Sequence, residues 1–173
     1  QSIAAFVGGS ELNVAVALSS WGLRTRFFTA LPDNALSFDL LNFLDEKGVD
    51  SSAVQISGNR IGLYYLPSGA DLKSAEVIYD RANSSFTEIQ PDTIDWNGIL
   101  QDVSWVHLSA ITPALSKNLA NVCVELVQAA AARHITISLD LNYRGKLWKY
   151  GVSPTEVMPD IARHCDMIMG NIW

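Results

Sequence analysis

The sequence predicts an α/β fold in which helices cover both faces of a parallel sheet. Short runs rich in β-branched residues alternate with stretches of helical periodicity, and turn residues separate several of them. Such alternation is typical of βαβ units, whose strands are parallel. With 173 residues, 49% hydrophobic and 17% charged, the chain is long enough for one globular domain.

The first fifty residues predict two helices and a strand. Ser10 to Ser20 is apolar with small residues between, as expected of a buried helix. Arg26 to Leu31 is typical of a short strand, and Pro32 to Asn34 of the turn after it. Ala35 to Lys47 is amphipathic, and we expect Gly48 to end that helix.

The second half predicts three further strands with two helices between them. The strands are expected at Val103 to Leu108, Ile135 to Leu141 and Asp166 to Met169, where apolar residues run continuously. The helices are expected at Leu115 to Arg133 and around Thr155 to Arg163. Together with the strand at Arg26, these strands are expected to form one parallel sheet with helices on both faces.

The middle of the chain interrupts this alternation with a predicted β-hairpin. Its strands are Ile61 to Leu66 and Ala75 to Asp80, and Pro67 to Asp71 forms the loop. Because a lone hairpin must pack one face against something, we expect it to cover a cleft.

Charge and composition argue against several classes of function. The net charge is −6 and the 12 basic residues are scattered, which argues against a nucleic-acid-binding track. No apolar run suggests a membrane span, and Gln1 to Val7 lacks a signal-peptide pattern. Cys123 and Cys165 lack metal-ligand spacing, so we interpret them as reduced core thiols of a cytoplasmic protein. The three histidines also lack such spacing, and we expect no metal site in this chain.

Three groups of polar residues are candidates for binding. Gly8 and Gly9 open the first helix, where backbone N–H groups favour polar or anionic ligands, and Asn13 follows Gly9 by four residues. The alternative is a plain glycine turn with Ser10 as the N-cap.

The second group follows the strand that begins at Ile135. If the chain stays extended, Asp140, Asn142 and Arg144 project from one face. Ligands of parallel sheets bind beyond the carboxyl ends of strands, where this group would lie. The alternative is a solvated Asp–Arg pair, which adds little stability.

The third group lies on the predicted hairpin. Tyr79 and Arg81 face the same way, and a guanidinium with tyrosine hydroxyls suits a carboxylate attached to a polyol. Tyr64 lies on the other strand. The alternative is that the tyrosines only cover the apolar face of the hairpin.

Five segments together resemble the PfkB-type, ribokinase-like carbohydrate kinases. The five segments are spread along nearly the whole chain: Gly8 to Asn34, Gly62 to Leu66, Val77 to Phe86, His107 to Ser116 and Asp140 to Trp148. In this order and spacing they are most similar, within the family, to 2-keto-3-deoxygluconate kinases. The resemblance implies a ribokinase-like three-layer α/β/α fold with a parallel central sheet, incomplete at both ends. A small β lid over about residues 57–82 would be inserted in it.

The resemblance also implies a function for the longer protein. It would transfer the γ-phosphoryl group of ATP, with Mg²⁺, to 2-keto-3-deoxygluconate and form its 6-phosphate. The partners would be the small-molecule sugar acid and a second subunit paired through the lid, with no nucleic acid and no membrane. The alternatives are a kinase for fructose or ribose, or a non-catalytic module that binds a sugar acid.

The resemblance assigns substrate contacts to residues that match the family's motifs. These are Gly8, Gly9, Asn13, Tyr64, Tyr79, Arg81, Ile111 and Arg144. Gly9 and Asn13 would bind sugar hydroxyls, and the tyrosines would reach down from the lid. The two arginines would hold the carboxylate and nearby oxygens, and the isoleucine would provide a wall or a backbone contact.

The family's phosphoryl-transfer residues are not among these 173. In the family a Gly-Ala-Gly-Asp segment supplies an anion hole and the Asp that deprotonates the acceptor hydroxyl, and the sequence contains no such segment. The resemblance therefore implies that the catalytic base lies beyond Trp173. Asn171 matches the first position of an Asn-x-x-Glu element near magnesium and phosphate. We expect residues 1–173 to form a partial domain without its nucleotide-binding part and without kinase activity of its own.

Overall fold

The computed structural model describes residues 4–66 and 77–170, and these residues form an α/β arrangement. In chain order the elements are α1 (Ser10–Ser20), β1 (Thr25–Arg26), β2 (Thr29–Leu31), α2 (Ala35–Glu46), β3 (Val49–Asp50), β4 (Val54–Ile56), β5 (Leu63–Tyr65), β6 (Ile78–Asp80), α3 (Trp96–Ile99), β7 (Trp105–Ser109), α4 (Ile111–Leu115), α5 (Lys117–Ala131), β8 (Thr136–Asp140), α6 (Pro154–Ala162) and β9 (Met167–Met169). A 3₁₀ helix, Phe86–Glu88, follows β6. Within the described ranges, no helix has both the length and the apolar character needed to cross a membrane.

The strand predicted at Arg26 to Leu31 is two strands, and this prediction was wrong in one respect. β1 pairs in parallel with β3, and β2 pairs in parallel with β4. The segment that connects β3 to β4 forms a turn, in which the Val54 N–H donates to the Ser51 carbonyl at 2.9 Å. That turn interrupts the ladder opposite Phe27 and Phe28, so one continuous strand cannot form.

The three parallel strands predicted in the second half form one sheet, in the order β7-β8-β9. Among the described residues, β1 and β2 pair with β3 and β4 outside this sheet, so the expectation that the strand at Arg26 belongs to it was wrong. Ser109, Asp140 and Met169 are aligned at its carboxyl edge. One face of this sheet packs on α5 and α6 around fully buried residues, which include Val127, Ile137, Leu139 and Ile161. The buried face therefore fixes the carboxyl edge against a rigid core.

The helix predicted at Leu115 to Arg133 begins two residues later. Ser116 is its N-cap and accepts a hydrogen bond from the Leu119 N–H at 3.1 Å, which starts α5 at Lys117. Leu115 belongs instead to the short helix α4, which the sequence pattern did not predict. The helix predicted at Ala35 to Lys47 is confirmed to within one residue, and Gly48 ends it at φ 68°.

The β-hairpin is confirmed in its described part. β5 and β6 are antiparallel, with Tyr64 opposite Tyr79. Since neighbouring residues alternate between faces, one face carries Tyr64, Tyr79 and Arg81, and the other carries Leu63, Tyr65, Ile78 and Asp80. Residues 67–76, which include the predicted loop, lie outside the described residues.

The extended segment expected from Asp140 to Arg144 is not observed. β8 ends at Asp140, whose carboxylate accepts a hydrogen bond from the Asn142 N–H at 3.0 Å. Asn142 has φ 23°, so the chain bends there in an Asx turn. Because of this bend, the alternation that would put residues 140, 142 and 144 on one face is lost.

Candidate functional site

Tyr64 of the hairpin packs directly against Gly8. A Cβ atom built on Gly8 would be only 2.4 Å from the Tyr64 hydroxyl oxygen and 3.2 Å from two atoms of its ring. The tyrosine therefore occupies the space that any other side chain at position 8 would need. Two of the candidate groups, predicted from segments about fifty residues apart, meet at this contact.

Arg81 brings both tyrosines of the hairpin together. Its guanidinium carbon is 5.1 Å from the centre of the Tyr79 ring and 5.8 Å from that of Tyr64. These distances are typical of cation–π contacts, which also limit the orientations open to the guanidinium. Both tyrosines therefore contact a cation on the face that they share with it, and Tyr64 also contacts Gly8.

The start of α1 is built from Gly9 rather than capped by Ser10. Gly9 is the N-cap at φ 145°, a conformation that favours glycine, and its carbonyl accepts the Asn13 N–H at 2.9 Å. The Ser10 hydroxyl donates to the Glu11 carboxylate at 2.5 Å, so the alternative of a Ser10 cap is wrong. The Asn13 side chain is exposed on the first turn.

Glu11, which the sequence reasoning did not select, connects α1 to the carboxyl end of β7. Its Oε1 accepts hydrogen bonds from the Ser109 hydroxyl at 2.6 Å, the Ser109 N–H at 3.1 Å and the Thr112 hydroxyl at 3.2 Å. Ile111, a predicted contact, is the first residue of α4, between these two donors. Glu11 therefore fixes the glycine turn relative to Ile111. A carboxylate on the first turn of an otherwise uncharged helix was the signal available in the sequence.

Arg144 lies on the segment that follows β8. Its side chain is exposed, and Nη1 donates to the Tyr143 carbonyl at 3.1 Å. Among residues 4–66 and 77–170, no hydrogen bond or ring contact joins Arg144 to the hairpin. The same segment reaches α4 through the Tyr150 hydroxyl, which donates to the Pro113 carbonyl at 2.7 Å; burial raises the pKa of Tyr150.

The predictions for the end of the chain are not tested by this structure. Asn171, expected near magnesium and phosphate, and Trp173, beyond which the catalytic base is expected, both lie outside the described residues. The positions of the base and of the nucleotide contacts stay predictions from the family resemblance.

Cys123 is buried in the core, and His107 is hydrogen-bonded to a buried side chain. Burial raises the pKa of the Cys123 thiol well above its ordinary value, and the charge of Glu11 adds to the effect. His107 bonds through Nδ1 to the buried Ser138 hydroxyl at 2.9 Å. In the part of the chain that the structure describes, no three His, Cys, Asp or Glu side chains are grouped so that they could hold a metal ion.

Comparison with known proteins places this arrangement in a family. Residues 1–172 match the family model described as pfkB family carbohydrate kinase. The chain belongs to this family. A solved relative, the 2-dehydro-3-deoxygluconokinase of Thermotoga maritima, is 37% identical and superposes with a TM-score of 0.86 over 95% of this chain and 50% of its own. The ribokinase-like α/β fold expected from the sequence is thereby confirmed.

Two further proteins are similar to this chain. The 2-dehydro-3-deoxygalactonokinase of Haloferax volcanii is 38% identical over 140 residues, which are 81% of this chain and 44% of the relative. A fructokinase of Xylella fastidiosa with bound ATP has a TM-score of 0.82 over 93% of this chain and 49% of its own, but at 21% identity it shares the fold alone. The chain spans about half the length of the curated relatives that it matches.

Proposed function

We propose that the protein containing this chain is an ATP-dependent kinase of 2-keto-3-deoxy sugar acids, with 2-keto-3-deoxygluconate (2-dehydro-3-deoxygluconate) as the preferred acceptor. One observation carries the proposal: Arg81 contacts the rings of both Tyr64 and Tyr79, on the hairpin face that contacts Gly8. A neutral sugar has no group that needs a guanidinium there, whereas a carboxylate can accept two parallel hydrogen bonds from one.

The described residues are suited to the acceptor sugar. The Asn13 side chain and the backbone of Gly9 would bind hydroxyl groups, the tyrosine hydroxyls would add further bonds, and Ile111 would form an apolar wall. Arg144 is proposed as a second contact to the acid, on the segment after the carboxyl end of β8, where ligands of parallel sheets bind. A net charge of −6 does not oppose this proposal, because one or two placed cations can recognise a single carboxylate.

In the reaction proposed, a primary hydroxyl of the sugar attacks the γ-phosphorus of ATP. The bond between that phosphorus and the β–γ bridging oxygen breaks, ADP leaves, and a base takes the hydroxyl proton. Such transfers depend mainly on positioning and on electrostatic stabilisation, and Mg²⁺ would supply part of the latter. We assign the binding and orientation of the acceptor to the described residues of this chain, and we propose that Asn171 lies near the magnesium and the phosphate.

The outer face of the hairpin suggests pairing with a second subunit. Leu63, Tyr65 and Ile78 are 45%, 44% and 55% exposed, on the face opposite Arg81. Apolar side chains grouped on an exposed strand pair promote association. We therefore propose a homo-oligomer formed through the hairpin. If sedimentation of the Ile78→Glu variant gave the same mass as wild type, this proposal would be wrong.

A substrate panel tests the proposed function. The intact protein is assayed by coupled ADP release with 2-keto-3-deoxygluconate, its carbon-4 epimer 2-keto-3-deoxygalactonate, fructose and ribose. We expect kcat/KM to be highest for 2-keto-3-deoxygluconate; a higher value for its epimer would contradict that preference. A higher value for fructose or ribose would contradict the assignment, and binding of the acid without any turnover would indicate a non-catalytic module.

A further inference from the structure

Arg60 holds the exit of the hairpin on both sides of Arg81. Its Nη1 donates to the Ala82 carbonyl at 3.0 Å, and its Nη2 donates to the Asp80 carbonyl at 3.2 Å. The same Nη2 pairs with the Asp80 carboxylate at 2.7 Å. One guanidinium group thus contacts the residues immediately before and after Arg81.

The main chain of Arg60 is itself fixed to the body of the protein. Its carbonyl accepts hydrogen bonds from the Ser85 N–H at 2.9 Å and the Ser85 hydroxyl at 3.1 Å. Ser85 is 1% exposed, and a Cβ on nearby Gly58 would lie 2.9 Å from its Cα. The guanidinium therefore extends from a closely packed base to a hairpin that is otherwise largely exposed.

The geometry separates Arg60 from the proposed sugar site. Asp80 points to the face of the hairpin opposite Tyr79 and Arg81. The contacts that Arg60 makes with the described residues therefore do not include a direct contact with the proposed sugar site. A simple surface ion pair would also be insufficient as an explanation, because such pairs add little stability and this one is joined by two backbone contacts that flank a single residue.

We infer that Arg60 is a positioning residue that determines selectivity for the acid by presenting Arg81 to the substrate carboxylate. This inference rests on the proposed function. By fixing the carbonyls of residues 80 and 82, Arg60 sets the direction of the backbone at Arg81. That direction determines the position of the Arg81 guanidinium relative to the two tyrosine rings. Lysine could keep the charge pair with Asp80 but has no planar fork to reach both carbonyls.

The chain supplies a matched control for this experiment. Arg26 pairs with the Asp50 carboxylate at 2.7 Å and donates to two carbonyls, those of Ile99 at 2.8 Å and Gln101 at 3.4 Å. The two arginine side chains are similarly exposed, 31% for Arg26 and 37% for Arg60. Arg26→Ala therefore removes the same kinds of contact without touching the hairpin.

The test compares Arg60→Ala, Arg60→Lys and Arg26→Ala in the intact protein. Each variant is assayed with 2-keto-3-deoxygluconate and with the neutral ketose in which a hydroxymethyl group replaces the carboxylate. For Arg60→Ala we expect KM for the acid to rise about tenfold, equivalent to about 1.4 kcal/mol, and KM for the neutral ketose to change less than about twofold. Arg60→Lys should recover only part of the loss, and Arg26→Ala should leave both KM values unchanged.

A double-mutant cycle with Arg81→Ala tests whether Arg60 acts through Arg81. In that background, Arg60→Ala should no longer change KM for the acid. A full effect in that background, or equal losses for the acid and the neutral ketose, would overturn the inference. If Arg60→Ala does not fold, Asp80→Asn serves instead, with a smaller loss in the same direction expected. Wild-type protein without turnover of any sugar acid would refute the proposed function itself, which is a separate outcome.

Discussion

Replacing Gly8 by alanine should displace Tyr64 from the site. The new Cβ would lie 2.4 Å from the tyrosine hydroxyl, whereas an ordinary contact needs at least 3.4 Å, so the hydroxyl must retreat by about 1 Å. The backbone adds no strain of its own, since Gly8 is not among the residues with positive φ. Tyr64 is 40% exposed and can swing outward, so the free energy of unfolding should fall by less than about 1 kcal/mol.

The loss should therefore appear in catalysis rather than in stability. A misplacement of about 1 Å can cost up to roughly 100-fold in rate, and we expect kcat/KM for the sugar acid to fall about 10- to 100-fold. The intact protein would be measured by coupled ADP release, with thermal unfolding as the control. Adding Gly8→Ala to a Tyr64→Phe variant should cost much less, because the nearest atom is gone. Unchanged kcat/KM in Gly8→Ala, or the same loss in both backgrounds, would refute the contact.

Three further predictions follow from the same structure. Glu11→Ala leaves the buried Ser109 donors without their acceptor, so it should lower the free energy of unfolding by about 2 kcal/mol. Glu11→Gln keeps an acceptor oxygen and should lower it less. Equal losses of the two variants in chemical denaturation would contradict the role of Glu11. Cys123 should resist alkylation at pH 8 until the protein unfolds, because its raised pKa keeps the thiol protonated; mass spectrometry showing its rapid modification in the native state would be inconsistent with this. Residues 1–173 expressed alone should release no ADP above buffer with any sugar of the panel, and clear turnover would show that the chemistry does not need a Gly-Ala-Gly-Asp segment.

The sequence predicted the elements whose pattern is long enough to be periodic. Helices α1, α2 and α5 and the parallel order of β7, β8 and β9 all follow from apolar spacing and turn residues. β3 and β4 were missed because their sequences, Val-Asp and Val-Gln-Ile, contain no continuous apolar run like that of the equally short β9. Their turn also explains why the strand at Arg26 to Leu31 is interrupted.

The arrangement of the candidate site could be predicted only in small part. Tyr79 and Arg81 share a face because strands alternate, and that much follows from the sequence. Tyr64 joins them because it pairs with Tyr79, and this register was not predicted. The bonds between Glu11 and Ser109 join residues 98 apart, and no local pattern can indicate them. The bend at Asn142 was missed for a different reason, since it depends on the Asp140 side chain bonding to the backbone rather than continuing the strand.

The most direct test of the account is the selectivity of Arg81→Ala in the intact protein. The measured quantity is the ratio of kcat/KM for 2-keto-3-deoxygluconate to kcat/KM for its neutral hydroxymethyl analogue, in wild type and in the variant. If Arg81 binds the carboxylate, the acid should lose roughly 1.5–3 kcal/mol of binding, about 10- to 150-fold, while the neutral analogue loses much less. The ratio should therefore fall by at least about tenfold. An unchanged ratio, with equal losses for both sugars, would show that Arg81 only supports the hairpin and does not recognise the acid.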